Sequence, residues 1–220
     1  MTKLWSPICE RLGIENPIFG FAHDIEAVAA ITNAGGYGVY GATRRFPHEI
    51  KEELAAIRKL VGDKAFGVDL VLPPGMPEHN SREAIEAEIP EEHKAFVEKL
   101  IDKFQVPTAT QPGMRTRFIR STEIEEEQIQ AVLDSSVDMF ACGIGAPAHV
   151  MKAAKARGKT TLALIGSPHH VQRAIDAGVE ILVAQGYDAG AHTGPIGTYS
   201  LVPQIVDAAG FSARLCVLFV

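Results

Sequence analysis

The chain has 220 residues, 46% of them hydrophobic and 22% charged, which suffices for one substantial core and argues against disorder. A formal net charge of −6 offers no basic stripe for phosphate backbones or anionic lipid, so nucleic acid and membrane surfaces are excluded as natural partners and a small molecule is favoured. The start, Met-Thr-Lys-Leu-Trp-Ser-Pro, lacks an apolar signal core, and no run approaches the roughly 20 apolar residues that cross a bilayer, so a cytoplasmic location is expected.

Pro17 to Ala22 is a short apolar run. Asp24 then stands as a helix cap, and Ile25, Val28 and Ile31 recur at helical spacing until Asn33, Gly35 and Gly36 stop them. Tyr37 to Gly41 reads as the next strand. Ile50, Leu54, Ile57 and Val61 form a second helical stripe, and Gly62-Asp63 turns the chain into the run Phe66 to Leu72. After Pro73 and Pro74 the rhythm breaks for about fifty residues rich in charge and proline. Within that break Pro90 suits a first helical position, and Phe96, Val97, Leu100, Ile101 and Phe104 make one apolar stripe. Residues 74–121 therefore read as a helical insertion, either a lid or a packing excursion without a role in the site. Glu123 and Glu125 to Glu127 open a further helix with Ile124, Ile129 and Val132 facing inward, its charges a solvated face that complements the helix dipole.

The cycle then runs fast: strand Met139 to Cys142, helix Ala148 to Ala156, strand Thr161 to Ile165, helix Val171 to Ala177, strand Ile181 to Ala184 and a helix from about Leu201 to Ala208. Strands and helices alternating at this interval imply right-handed crossovers and a parallel sheet. Six units are visible and Leu215 to Val220 supplies material for a seventh strand. The expected fold is an incomplete (β/α)8 barrel of TIM type, a single domain over residues 1–220, with a flavodoxin-like open sheet as the alternative.

The most informative stretch follows strand Ile181 to Ala184: Gln185, then Gly186, Gly190, Gly194 and Gly197, with His192 among them. A surface turn needs one or two glycines; four across twelve residues suggest a floor that lets backbone lie close to a flat ligand, the alternative being a long mobile loop. Residues 184–194, Ala-Gln-Gly-Tyr-Asp-Ala-Gly-Ala-His-Thr-Gly, resemble the Ala-Gln-Gly-x-Glu-Ala-Gly-Gly-His-x-Gly signature of the nitronate monooxygenases, formerly 2-nitropropane dioxygenases, with Asp188 for Glu and Ala191 for Gly. Asn33-Ala34-Gly35-Gly36-Tyr37-Gly38 resembles the family's Asn-Ala-Gly-Gly-x-Gly, and Phe66-Gly67-Val68-Asp69-Leu70 is similar to its Phe-Gly-Val-Asn-Leu strand with Asp for Asn. The similarity runs from residue 1 to about 210 and then ends abruptly, so a truncated or frame-altered product is expected. The strand 7 and 8 loops that usually hold a cofactor phosphate are then lacking, and homo-dimerisation, which nothing in the sequence demonstrates, is one way to cover the gap.

The resemblance implies an FMN-dependent oxidoreductase that oxidises nitronates or nitroalkanes with molecular oxygen. It makes His192 the general base that removes the α-proton of a neutral nitroalkane, a step nitronates do not need; an imidazole with a reference pKa of about 6.5 suits that role, and the alternative is a ring that only bonds loop backbone. It places Phe21, Ala22, Asp69, Gln185, Gly186, Gly190 and Ala191 against FMN, Gln185 by its amide and the glycines by close backbone approach. A carboxylate at Asp69 beside an electron-rich ring is less favourable than an amide unless protonated or paired. His23, just beyond the first strand, is either a substrate-pocket residue or, preferred, a neighbour of the helix cap. The alternative functions are a nicotinamide-fed flavin reductase acting on enoyl thioesters or quinones, and a non-catalytic fragment.

Other motifs fail. Gly36-x-Gly38-x-x-Gly41 fits a dinucleotide fingerprint as a string, yet its glycines follow a helix and run through a strand. Cys9, Cys142 and Cys216 are scattered without CxxC spacing and no His/Cys cluster has metal geometry, so small buried thiols and no metal site are expected. His169 and His170 read as exposed first-turn residues after Gly166-Ser167-Pro168.

Overall fold

A computed structural model describes residues 5–111, 113, 117–190 and 192–210 together with the backbone of Cys216–Phe219. Seven strands, β1 (Phe19–Ala22), β2 (Tyr37–Gly41), β3 (Gly67–Leu70), β4 (Met139–Cys142), β5 (Thr160–Ile165), β6 (Ile181–Ala184) and β7 (Cys216–Phe219), form one sheet in sequential order with every neighbouring pair parallel. Between them run α1 (Pro7–Leu12), α2 (Ile25–Asn33), α3 (Pro47–Val61), α4 (Arg82–Glu88), α5 (Glu91–Phe104), α6 (Thr122–Leu133), α7 (Ala148–Ala156), α8 (Val171–Ala177) and α9 (Thr198–Ala209). Sequential parallel order is that of a (β/α)8 barrel, whereas a doubly wound open sheet reverses its strand order partway. The barrel is incomplete: among the described residues β1 pairs only with β2 and β7 only with β6.

Side chains alternate across the sheet, and both faces are apolar. Val68, Leu70, Phe140, Cys142, Ala163, Leu182 and Ala184 pack outward against the stripes of the helices, including Val28, Leu54, Ile57, Val132, Val150 and Ile205. The other set, Tyr37, Val39, Met139, Ala141, Leu162, Ile181 and Val183, builds the inner core, closed by Ile8, Cys9 and Leu12 of α1. That helix lies outside the sequence reading because six residues are too few to show a period; Pro7 starts it and Gly13, left-handed at φ 66°, ends it. Three other helices start on side-chain caps, with Asp24, Ser81 and Ser121 each accepting a backbone N–H of the first turn.

Boundaries move by a few residues from the sequence reading. β1 begins at Phe19 rather than Pro17, Pro90 is the cap and not the first residue of α5, and α9 begins at Thr198, with Pro203 inside it. The acidic start of α6 is not wholly solvated, since Glu125 is drawn inward and pairs with Arg120 at 3.1 Å.

The insertion after β3 is pinned at its neck and loose beyond it. Thr122 N–H donates to Pro77 O (2.9 Å), the Asn80 amide to Arg120 O (3.3 Å), and Phe118 is buried edge-on against Phe46 with ring centroids 5.4 Å apart. Helices α4 and α5 bury no residue, and the stripe read from the sequence leaves Phe96, Val97, Ile101 and Phe104 exposed.

Candidate active site

Because all strands run the same way, their carboxyl ends share one mouth, and Phe21, Asp69 and the loop holding His192 all lie there. On the inner face the apolar layers give out at this level. Above Tyr37 and Val39 comes Gly41, above Gly67 comes Asp69, and above Met139 and Ala141 comes Gly143. Glycine at 41 is required by its neighbours: a Cβ there would sit 2.5 Å from the ring atoms of both His23 and Phe21. The two rings meet edge to face with centroids 4.9 Å apart, and Phe21 remains 57% exposed.

His23 stands over this corner. Its Nδ1 lies 2.8 Å from Gly41 O, and since a carbonyl only accepts, Nδ1 carries a proton and Nε2 is left for a further partner. The capping of α2 falls to Asp24, whose carboxylate accepts from Ala27 N–H at 2.8 Å. Ala22 turns its side chain toward the helices, so only its backbone borders the mouth.

Asp69 pairs in register with Gly41 on one side and Ala141 on the other and is only 6% exposed. Burial raises its carboxyl to about 7, opposed by the Gly143 N–H that lies against it. Its Oδ1 has no hydrogen-bond partner. An orphaned oxygen in such a place is costly, about 1–3 kcal/mol, and marks where a further group belongs.

The loop after β6 is folded on itself. Gln185 donates its side-chain amide to Gly190 O (3.2 Å), Tyr187 N–H bonds Ile196 O (3.0 Å), and Thr198 N–H at the start of α9 bonds the Asp188 carboxylate (2.7 Å). That last contact holds the Asp188 carboxyl below its usual range, and it uses the aspartate that departs from the family's glutamate. Gly186 is forced, because a Cβ would strike the backbone and hydroxyl of Thr198. Gly194 lies on the backbone of Gly166 at the end of β5, which brings the loop across the mouth. His192 is exposed in this loop and its ring makes no hydrogen bond with another described residue. Ala191 lies outside the described residues.

Elsewhere, His169 and His170 are exposed in a 3-10 turn before α8, and Cys9 and Cys142 are buried thiols. Burial raises the Cys142 thiol, and it faces the helices. Among the described residues no three His, Cys, Asp or Glu side chains come together as a metal site, and no helix is long and apolar enough to cross a membrane. Sequence reasoning missed the His23–Gly41 bond and the packing of Gly194 on Gly166, which join segments far apart in the chain; the local signal was the glycine that ends β2 and the one that follows β5.

Fold and site define a class: an incomplete (β/α)8 barrel with its candidate site at the carboxyl ends of the strands. Within that class the chain belongs to the nitronate monooxygenase family, whose model matches residues 8–212. It is 35% identical over 214 residues to a Mycobacterium tuberculosis protein named as a monooxygenase, covering 91% of this chain and 56% of that protein. It is 27% identical over 220 residues to a Staphylococcus aureus protein named as a nitronate monooxygenase, covering 91% and 57%. The chain thus spans little more than half the length of the curated relatives it matches. Among solved structures the fold is like that of nitroalkane oxidase from Streptomyces ansochromogenes (TM-score 0.67, 21% identity, 94% of this chain and 57% of that one). It is likewise similar to FabK from Thermotoga maritima (TM-score 0.66, 18% identity, 96% and 52%).

Proposed function

We propose that this chain carries the catalytic mouth of an FMN-dependent oxidoreductase that takes electrons from nitroalkanes or nitronates and gives them to oxygen, with His192 as the general base. Residues 1–220 would form one barrel unit, with 74–121 inserted into it. The observation that carries the reading is His192 itself, an imidazole with no hydrogen-bond partner among the described residues, on a glycine-rich loop drawn across the strand ends.

The residues present fit a flat ring with polar edges. Asp69 brings an unpartnered buried oxygen, Phe21 an exposed aromatic face, and Gln185 an amide poised in the adjoining loop. Phe21, the backbone of Ala22, Asp69, Gln185, Gly186, Gly190 and Ala191 would hold the ring. When bound, FMN supplies the two-electron acceptor that the side chains lack.

The protein's own work is positional and protolytic. His192 Nε2 or Nδ1 takes the α-proton of a neutral nitroalkane, and its exposure lets it return that proton to solvent. His23, held by Gly41 O, presents its second nitrogen to the same mouth, where it would accept a hydrogen bond from substrate.

Flavin absorbance in the purified chain is the first test, and a colourless protein that releases no heat with FMN removes the proposal. Next, His192→Ala should slow oxidation of a neutral nitroalkane by at least about 10²-fold and affect nitronate far less. Equal loss on both substrates would end the base assignment. One relative favours a second reading: a Mycobacterium tuberculosis protein named as a carboxyl-CoA dehydrogenase is 21% identical over 210 residues. Rapid bleaching of the flavin by NADH without oxygen would support a reductase instead.

A further inference from the structure

We propose that Asp69 acts as a neutral carboxylic acid, donating a hydrogen bond from its carboxyl to an acceptor atom of the flavin ring, so that flavin affinity falls as the pH rises. This rests on the flavin reading above.

A carboxylate can only accept, an amide can donate, and a protonated acid can do both. Asp69 stands where the resembling strand has Asn, so a donor at this position survives only if the carboxyl keeps its proton. The surroundings favour that. The group is 6% exposed, its Oδ1 is unpartnered, and it forms no ion pair with a described residue. A buried, unpaired charge is strongly disfavoured. Among the described residues the titratable group on its face is His23, across Gly41 from the end of β1, while the Cys142 thiol lies close by on β4 but is turned toward the helices. His23 spends its Nδ1 proton on Gly41 O, and the thiol is kept neutral by burial. Among the described residues the Gly143 N–H, which also bonds Leu70 O at 3.3 Å, is the one donor against the carboxyl, and it leaves Oδ1 open. Burial sets the carboxyl to titrate near about 7, inside the range where flavins are handled.

The test is FMN binding to the full chain, read by quenching of flavin fluorescence, for wild type and the nearly isosteric Asp69→Asn from about pH 6 to about pH 8.5. The FMN phosphate titrates near pH 6 and is common to both proteins, so the ratio of their affinities is the readout. That ratio should shift against wild type by at least about tenfold across the range, one pKa unit being a factor of ten. In parallel, infrared spectra of the chain without FMN should show a protonated-acid carbonyl stretch that fades as pH rises and is missing from Asp69→Asn. An affinity ratio that stays constant, or an acid band absent from wild type at about pH 6, overturns the assignment while leaving the flavin reading in place. No FMN binding by wild type at any pH overturns the flavin reading and this inference with it.

Discussion

The two ends of the sheet are built on opposite rules. Where strands begin, polar groups are matched apart from Thr32 Oγ1: Arg58 reaches Asp138 (2.6 Å), Ser136 O (2.7 Å), Lys64 O (2.8 Å) and Gly62 O (3.0 Å), with its guanidinium 4.6 Å over the Phe66 ring. Asp138 also accepts Phe66 N–H at 3.1 Å, and the buried ammonium of Lys159 donates to Ser135 O (2.7 Å) and Val137 O (2.9 Å). Where strands end, Asp69 Oδ1 is orphaned, His192 bonds no described residue, and Phe21 faces solvent. The difference is instructive because one set of hydrophobic strands serves both. The matched end holds the strands in place, and under the function proposed above the unmatched end keeps groups in reserve for a ligand.

The comparison breaks most directly at Arg58. Arg58→Ala should lose about 3 kcal/mol of stability in urea unfolding, because several carbonyls and the Asp138 carboxylate lose their donor together. A loss under about 1 kcal/mol would mean that solvent replaces the arginine freely and that this end is no staple.

Asp69 supplies an effect of similar size, and its direction is opposite. Its carboxyl is raised from 3.8 to about 7 in the fold, so between those values the folded protein holds a proton that the unfolded chain has lost. Its contribution is whole below about pH 4 and disappears as pH climbs through about 7. Asp69→Asn should match wild type at about pH 4 and exceed it by up to about 4 kcal/mol at about pH 8. Thermal melts across that range check it, and parallel profiles for the two proteins would show that the carboxyl is not strained at this end.

Much of this layout is legible in the sequence because it rests on local pattern. Apolar runs such as Ile181–Ala184 and stripes such as Ile50, Leu54, Ile57 and Val61 fix strands and helices, and their alternation fixes the barrel. The Gly-rich run from Gly186 to Gly197 marks the mouth, and an aspartate inside the apolar run 66–72 is visible as an anomaly. Partnering is what sequence does not carry. Arg58 looks like any surface charge on α3, Gln128 like any polar residue on α6, yet Gln128 is buried and ties down Thr43 O (3.1 Å) and Arg45 O (2.6 Å). Those bonds join residues about eighty positions apart, which no periodicity reports. The stripe on α5 has the opposite fault: its period is right for a buried face, but the neck at Pro77–Thr122 carries it away from the core.

The smallest expected effect is the sharpest for the comparison. If His192 is held in reserve, then His192→Ala removes an exposed ring with no bond to a described residue, and stability should change by no more than about 0.5 kcal/mol. The loop keeps its other ties, through Gln185 to Gly190 O, Asp188 to Thr198 N–H and Gly194 on Gly166, so its fold does not depend on the imidazole. A stability loss above about 1 kcal/mol would make His192 a packing residue, and the mouth would then be matched like the other end. A loss confined to proton abstraction, with melting unchanged, separates a residue kept for chemistry from one kept for structure.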